Sequence, residues 1–429
     1  MKTFFMTSYL LVLALEMGLR CLDQRHRQRH RGEVPPGFEG AVSAETLERA
    51  GDYALARKRL EWVESVVAET LVLLFLFTPL FPAYDRLAAA SSGSPLWGGV
   101  LFFLGLSGLR WLLDAPFSWY RTFRIEERFG FNRTTFRLWL SDQLKSLLLA
   151  AILIALLAAG SLWLVAATTH WWLWVWGLWM GISLFLMVLS PYLIEPLFFK
   201  FQPLADGELA ERVRDLMARA GLRAGQVLQV DASRRSGHSN AYFTGIGKVK
   251  RIVLFDTLLA QMNPEEIEAV LAHEIGHWRL RHILQRLLFS ALVSLAGFHL
   301  ACGLMAWGGI PSWVGAPALS PAAQLLVLAV AGRLAGFFMT PLGAAWSRRH
   351  EAQADDFAVN LTAHPRALAA ALVKLAGENL ANLFPHPLYA WFYYSHPPVA
   401  ERVTRLNALQ PSPCGYGGGG GDNIDIPLM

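Results

Sequence analysis

Cysteine and charged residues are both scarce in this sequence, and each shortage narrows what the protein is. The three cysteines, Cys21, Cys302 and Cys414, lie far apart and in no metal-binding spacing, which argues against a disulfide framework and a thiolate metal site. Charged residues make up 17% of the 429 residues and hydrophobic residues 54%. An ordinary soluble domain carries about 25% charged residues. The composition therefore argues against a soluble protein and indicates a polytopic membrane protein with a polar insert.

Long apolar runs, by contrast, are abundant. A run of about 20 residues crosses a hydrocarbon core about 30 Å thick. Runs near this length predict about seven membrane spans. They are Phe4–Leu19, Trp62–Pro82, Leu96–Leu113, Leu147–Ala167, Trp171–Leu193, Leu287–Trp307 and Ala322–Trp346. No small-x-small cleavage site follows the first run, so we expect an uncleaved anchor rather than a signal peptide.

Lysine and arginine are unevenly distributed among the segments between these runs. The rich segments are Arg25–Lys58, Arg121–Arg137, Lys200–Arg286 and the chain after Ser347, and the poor ones are Tyr84–Pro95, Thr168–His170 and Gly308–Ser320. By the positive-inside rule the rich segments are cytoplasmic and the amino terminus is outside. A lipid bilayer therefore explains the formal net charge of +5, and no nucleic-acid partner is expected.

Several ionisable residues fall within the spans or at their ends. They are Glu64, Glu69, Arg110, Asp114, His299 and Arg333. An ionised group that faces lipid costs several kcal/mol, so these side chains should avoid it. Two alternatives are open: the residues pair with one another between helices, or they face a water-filled cavity.

A metal-binding motif stands near the end of the polar insert. Asn263-Pro264, followed by acidic residues, predicts a helix start. On this helix His273 and His277 are one turn apart, so both imidazoles leave the same face and can hold one metal ion. Glu274 is placed to reach a water on that metal. Zinc is the expected metal, although such a motif also arises by chance and two histidines can serve packing alone.

A third ligand has to come from elsewhere in the chain. The extended motif with a third histidine fails, because Leu280 and Ile283 occupy the required positions. His282 falls on the wrong face of the motif helix. After the last span, Glu351 and Asp355 share one helix face, which favours Glu351 as the ligand and Asp355 as the partner of a ligand imidazole. The alternatives are an exposed acidic face and His350 as the ligand.

These patterns divide the chain into five regions. They are an N-terminal transmembrane region of five spans with basic cytoplasmic loops (1–199), a cytoplasmic catalytic insert with the metal-binding helix (200–286), two further transmembrane helices (287–346), the C-terminal cytoplasmic part of the catalytic domain (347–410) and a disordered tail (411–429). Within the insert, periodicity predicts a helix over Gly207–Ala220 and then a small antiparallel sheet. The expected strands are Gln226–Asp231, Asn240–Thr244 and Arg251–Phe255.

Several long motifs in order resemble those of the type I CAAX prenyl proteases, integral-membrane zinc endopeptidases that process prenylated carboxyl termini. They are Ser236-Gly-His-Ser-Asn-Ala-Tyr-Phe, His273-Glu-Ile-Gly-His-Trp, Ser347-Arg-x-x-Glu-x-Gln-Ala-Asp and Tyr394-Ser-His-Pro-Pro, preceded by Pro116–Asn132 and Pro196–Leu204. The resemblance runs from about Tyr53 to Leu409. It implies a mainly α fold in which about seven transmembrane helices enclose a water-filled chamber, with a zinc metallopeptidase domain and a small sheet on the cytoplasmic side.

The resemblance also implies a role for individual residues. His273, His277 and Glu351 match the ligands of one zinc ion per chain, and Glu274 matches the general base. Asp355 matches the carboxylate that holds a ligand imidazole. Two further residues match the downstream site, His396 as a catalytic residue and Arg402 as a substrate-binding one. Asn240 matches the edge strand that holds the substrate backbone.

The sequence therefore predicts a zinc-dependent membrane endopeptidase that cleaves near the carboxyl terminus of prenylated or other membrane-associated substrates. One alternative is a quality-control protease without prenyl specificity, and another is a transporter or scaffold with a structural zinc. The active site is expected to face the cytoplasm. Because the chain ends without a known retention signal, the bacterial inner membrane is preferred over the endoplasmic reticulum.

Overall fold

The computed structural model describes residues 1–244 and 249–409 and is mainly helical. The tail predicted to be disordered, 411–429, lies outside the described residues. The helices before the sheet are α1 (Lys2–Arg29), α2 (Ala44–Phe77), α3 (Leu80–Ala90), α4 (Pro95–Tyr120), α5 (Phe136–Ala167), α6 (Trp171–Leu193) and α7 (Glu195–Phe198). Those within and after it are α8 (Glu208–Arg219), α9 (Asp256–Gln261), α10 (Pro264–Arg279), α11 (His282–Trp307), α12 (Ile310–Val314), α13 (Pro321–Thr362), α14 (Pro365–Glu378), α15 (Pro387–Tyr393) and α16 (Val399–Ala408).

In the described part of the chain, six helical segments are long and apolar enough to cross a membrane. They are α1, α4 with its π-helical extension to Glu126, α5, α6 with α7, α11 and α13. The bent pair α2 and α3, with an angle of 74° between its two helices, raises the number to seven if it is one span. The bend comes where Pro79 lacks the N–H that would continue the helix. The expectation of about seven spans in a mainly α fold is confirmed.

Ionisable residues of the spans pair with one another. Arg333 Nη2 lies 2.8 Å from Glu69 Oε1, and Arg121 Nη2 lies 2.7 Å from Glu64 Oε2, so both pairs join different helices. Two other members of the predicted set, Arg110 and Asp114, pair within α4, and His299 of α11 packs edge-on against Trp172 of α6. Helix–helix ion pairing, one of the two alternatives, is thus present in this region.

The polar insert contains a four-stranded sheet in the order β1-β2-β4-β3. The strands are β1 (Phe201–Pro203), β2 (Arg223–Val230), β3 (Ala241–Thr244) and β4 (Val249–Phe255). β1 pairs with β2 and β3 with β4 in antiparallel fashion, but β2 and β4 are parallel. The prediction of an antiparallel sheet was therefore wrong for the central pair, because the chain crosses from β2 to the far edge before it returns in β4. β3 is left as an edge strand.

The motif helix α10 begins at the predicted residue. Asn263 Oδ1 accepts a hydrogen bond from the Glu266 N–H (2.9 Å), and Glu266 Oε2 accepts one from the Asn263 N–H (3.0 Å). This capping box, with Pro264 in the first turn, fixes the helix start. Leu271 and Ile275 are fully buried in a core that α10 shares with α8, α14 and α16. Burial of each such side chain stabilises the fold by roughly 1.5–3 kcal/mol.

One unusually long helix links the membrane region to α10. α13 has 42 residues, which is about 63 Å at 1.5 Å per residue and roughly twice the hydrocarbon thickness. Its first part is the predicted span Ala322–Trp346, and the remainder packs on α10. The two helices approach closely at Gly276, where a Cβ would lie 3.0 Å from Ala354 Cα. This packing brings Glu351 to the motif helix.

Candidate metal centre and active site

Three side chains from α10 and α13 converge on one point. His273 Nε2 and His277 Nε2 lie 3.2 Å apart. Glu351 reaches both rings: its Oε2 is 3.3 Å from His273 Nε2 and its Oε1 is 3.2 Å from His277 Nε2. Among the described residues, these three form the one group of at least three metal-ligating side chains close enough to share an ion.

The geometry of this group fits a tetrahedral zinc ion. With Zn–N distances of about 2.0–2.1 Å, two ligand atoms in a tetrahedral site are roughly 3.3 Å apart, close to the spacings found here. Glu351 is 2% exposed, and within the described part of the chain its Oε2 is buried without a hydrogen bond. A buried carboxylate oxygen without a donor needs a cation or a proton. The chemistry of the three donors therefore suits zinc.

The two alternatives to Glu351 receive no support from the geometry. His350 lies outside the converging group, and its Nε2 is 3.2 Å from Gln285 Oε1. An exposed acidic face is also absent at this place, because Glu351 is 2% and Asp355 1% exposed. The prediction that a carboxylate meets the two imidazoles from the distant helix thus agrees with where the side chains lie.

Asp355 joins the ligand imidazole to a buried arginine. Its Oδ1 lies 2.8 Å from His273 Nδ1. Arg402 of α16 donates to both carboxylate oxygens, from Nη2 to Oδ1 at 2.6 Å and from Nε to Oδ2 at 3.0 Å. Burial lowers the pKa of His273, but the neighbouring carboxylates of Asp355 and Glu351 outweigh burial and raise that pKa to about 9. The arginine offsets the cost of burying the second carboxylate.

The contacts of Arg402 therefore differ from those expected of a substrate-binding residue. The sequence predicts a substrate-binding residue, whereas the structure directs the guanidinium onto Asp355 and leaves the residue 8% exposed. Arg402 Nη1 also lies 3.8 Å from Glu351 Oε2, within range of the metal group. These contacts favour a role in supporting the metal ligands, and the substrate-binding role stays a prediction.

Glu274 and His396 border the metal group without belonging to it. Glu274 is half-buried on α10, and burial raises the pKa of its carboxyl against the opposing charges of His273 and His277. A raised pKa brings the carboxyl group closer to the pKa, near the working pH, that suits a general base. His396, in the loop before α16, is exposed, and its Nε2 lies 3.3 Å from Glu351 Oε1. Both side chains are thus available to a substrate at the metal.

Asn240 directly precedes β3, the edge strand beside α10. β3 contacts α10 and, among the described residues, pairs on only one side, with β4. The Asn240 side chain is exposed, and its Oδ1 accepts a hydrogen bond from the Ala241 N–H (2.8 Å). Its carbonyl accepts one from the Phe255 N–H (3.1 Å). An unpaired strand edge beside the metal helix can bind an extended peptide through main-chain hydrogen bonds.

The sequence interpretation missed one neighbour of the metal group. His282 was assigned to the wrong face on the assumption that α10 continues, but α10 ends at Arg279. Arg281 then adopts a left-handed conformation (φ 57°), and the chain reverses so that His282 begins α11. His282 Nδ1 consequently lies 3.0 Å from His277 Nδ1. A left-handed arginine leaves no sequence signal, because glycine or asparagine usually marks such positions.

Comparison with known proteins agrees with this architecture. The model of the CAAX prenyl protease N-terminal region, with five membrane helices, matches residues 23–200, and that of peptidase family M48 matches residues 203–410. CAAX prenyl protease 1 of Saccharomyces cerevisiae is 33% identical, over 90% of this chain and 90% of its own length. A human homologue of CAAX prenyl protease 1 is 29% identical, over 91% and 92%. The crystal structure of Ste24p from S. mikatae has a TM-score of 0.85 and 31% identity, covering 94% of this chain and 98% of that one.

These matches define an integral-membrane metalloprotease. The chain belongs to peptidase family M48 and carries the N-terminal membrane region of the CAAX prenyl proteases. The resemblance seen in the sequence is confirmed. The yeast and human relatives are eukaryotic, and so they do not favour the bacterial inner membrane that the sequence interpretation preferred.

Proposed function

We propose that this protein is a zinc-dependent endopeptidase that hydrolyses peptide bonds near the carboxyl terminus of prenylated or other membrane-associated substrates. The observation that carries the proposal is the convergence of His273, His277 and Glu351 beside Glu274. The printed names of the relatives, CAAX prenyl proteases, support a prenylated substrate. By the charge distribution of the loops, the site faces the cytoplasm.

The residues of the site divide the work of hydrolysis among them. A zinc ion held by His273, His277 and Glu351 would supply a Lewis acid for the scissile carbonyl and would lower the pKa of a water molecule to about 7. Glu274 accepts the proton of the attacking water and passes it to the leaving amine. His396 donates a hydrogen bond to the developing oxyanion, a contact that is worth about 3 kcal/mol in comparable sites. Asp355 fixes the orientation of the His273 ring, and Arg402 holds Asp355 in place.

The substrate backbone is proposed to lie along β3. An extended peptide there adds a strand to the sheet through main-chain hydrogen bonds to β3. Asn240, directly before β3, contributes its side chain to this contact. Main-chain pairing tolerates varied sequences, so selectivity has to come from what the substrate carries, such as a lipid.

Paired peptides test the proposed substrate class. The purified protein in lipid should cleave a farnesylated CAAX peptide with kcat/KM at least about tenfold above that of the same peptide without the lipid, and a zinc chelator should abolish both reactions. Equal cleavage of the two peptides would favour the quality-control protease. Cleavage of neither, with zinc bound, would favour a transporter or scaffold with a structural zinc.

A further inference from the structure

The two imidazoles of the metal group have different partners on their outer nitrogens. His273 Nδ1 faces the carboxylate of Asp355, at 2.8 Å. His277 Nδ1 instead faces another imidazole, His282 Nδ1, at 3.0 Å. The second nitrogen of His282 lies 3.1 Å from Gln353 Oε1. Since His282 is 1% exposed, water does not compete for these contacts.

The number of ring hydrogens allows one assignment of donors and acceptors along these contacts. A neutral imidazole carries one N–H. If His277 Nε2 keeps its lone pair for a metal, its Nδ1 carries the hydrogen and donates it to His282 Nδ1. His282 must then be neutral with its hydrogen on Nε2, where it donates to Gln353 Oε1. A protonated His282 would set two N–H groups against each other at 3.0 Å.

The packing around His282 holds its ring in this orientation. Its ring stacks on His350, with a centroid separation of 3.9 Å and an angle of 4° between the planes. His350 is itself tied to Gln285, through Nε2 and Oε1 at 3.2 Å. The left-handed turn at Arg281 places His282 at the junction of α10, α11 and α13. These contacts fix the acceptor nitrogen of His282 beside His277.

We propose that His282 is a positioning residue that accepts a hydrogen bond from His277 and so fixes the tautomer and orientation of this ligand. The inference rests on the proposed metal binding at His277. Outer partners of this kind typically change metal affinity by 10- to 100-fold. They also set how much electron density a ligand donates.

The difference between the two partners has a chemical consequence. An anionic partner makes His273 a stronger donor, whereas the neutral His282 adds no negative charge behind His277. With Glu351, Asp355 and Glu274 ionised and Arg402 charged, a divalent ion would leave the cluster without net charge. A further carboxylate in place of His282 would make the cluster negative. A neutral acceptor therefore orients the ligand and keeps the centre electrophilic.

Two substitutions at His282 separate the hydrogen bond from the packing. In His282→Asn, Oδ1 occupies the place of the histidine Nδ1 and can accept from His277. In His282→Phe, the ring keeps its stack on His350 but accepts nothing. We expect the zinc Kd, measured by competition with a chelator, to rise 10- to 100-fold for the phenylalanine variant and to stay within about threefold for the asparagine variant. The visible spectrum of the cobalt-substituted protein should change in the phenylalanine variant alone.

His350→Phe is the matched control for the stacked pair. It keeps the stack and removes no hydrogen bond to a proposed ligand, so its zinc Kd should equal that of the parent. Equal losses in His350→Phe and His282→Phe, or equal losses in both His282 variants, would overturn the inference. If His282→Phe does not fold, a parent-like Kd and cobalt spectrum in His282→Asn would support the inference. A raised Kd in His282→Asn would contradict it. A parent protein that binds no zinc would instead refute the proposed function.

Discussion

At the scale of single residues, the site consists of buried charged side chains that form ion pairs and hydrogen bonds with one another. Glu351, Asp355 and Arg402 are each less than 9% exposed and lie within contact distance of the same histidine, His273. Buried ionised groups are tolerated only when they are paired and hydrogen-bonded. Glu351 receives less compensation than Asp355, since its Oε2 has no hydrogen-bond donor in the described residues. A cation between Glu351 and the two imidazoles completes the pairing.

Glu351→Ala and His350→Phe form a pair of variants at neighbouring positions on α13. Loss of Glu351 removes one of three protein donors, so its zinc Kd should rise by at least about 100-fold, the upper end for the loss of a mere outer partner. His350→Phe should bind zinc within about threefold of the parent, because His350 lies outside the converging group and phenylalanine keeps the stack on His282. Zinc content per protein after dialysis measures both. The reverse result would make His350 the ligand.

Zinc affinity should depend on pH through His273. The pKa of this imidazole is raised to about 9 in the metal-free site, above its ordinary value of about 6.5. The protonated form thus stabilises the metal-free fold below pH 6.5, and this contribution is lost as the pH rises through 9. Zinc has to displace that proton, so its affinity should increase up to about tenfold per unit between pH 7 and 9.

Titration of zinc into the metal-free protein at several pH values measures this dependence, and Asp355→Asn is its control. The variant removes the carboxylate that raises the pKa of His273, so it should show a flatter pH dependence together with weaker binding. A parent affinity that does not change between pH 7 and 9 would contradict the account.

The residue-level site was partly visible in the sequence. The spacing of His273 and His277, and that of Glu351 and Asp355, places each pair on one helix face, a local property that needs no fold. His282 was not visible, because its position depends on the left-handed turn at Arg281.

At the scale of elements, the close approach of α10 and α13 assembles the site. α10 supplies the two imidazoles and α13 the carboxylate, and a glycine at the contact lets the backbones approach. A Cβ at Gly276 would lie 3.0 Å from Ala354 Cα and 3.2 Å from Ala354 O, both backbone atoms that cannot rotate away. Helix separation at this point therefore sets the distance between the metal ligands.

Gly276→Ala tests this contact, with Gly297→Ala as its control. Alanine at Gly276 should destabilise the protein by about 1–3 kcal/mol through overpacking and weaken zinc binding as the helices separate. Gly297, on α11, has nothing within 4 Å of an added Cβ, so alanine there should be neutral or stabilise by up to about 1 kcal/mol. Thermal unfolding in detergent and zinc Kd measure both. Unchanged zinc binding in Gly276→Ala would contradict the role of this contact.

Helices were predictable because their sequence signals are local. Strand pairing was less predictable because it joins segments that are distant in the sequence. The helix start at Asn263 follows from capping chemistry, which acts over a single turn. The pairing of β2 with β4 depends on where the chain goes in between, and the parallel central pair was missed for that reason. β1, with the three residues Phe201–Pro203, is too short to give a pattern.

At the scale of the whole molecule, the continuous helix α13 joins the membrane-spanning helices to the metallopeptidase domain. The number of spans was predictable, because crossing a bilayer requires a run of fixed length and polarity. Ion pairing between helices was predicted only as one of two alternatives. The sequence of one helix does not show which face of another helix it contacts, so the pair of Arg333 and Glu69 could not be predicted. The division into five regions stays a prediction, although the matched family models also meet near residue 200.

Glu274→Gln tests the central claim most directly, because Glu274 is proposed as the base and not as a ligand. Zinc content and turnover of a prenylated peptide are measured on the same preparation of this variant and of the parent. We expect zinc content equal to that of the parent and kcat reduced by at least 100-fold, the lower end of what general-base catalysis contributes (about 10²–10⁴-fold). Full turnover with zinc retained would contradict the account.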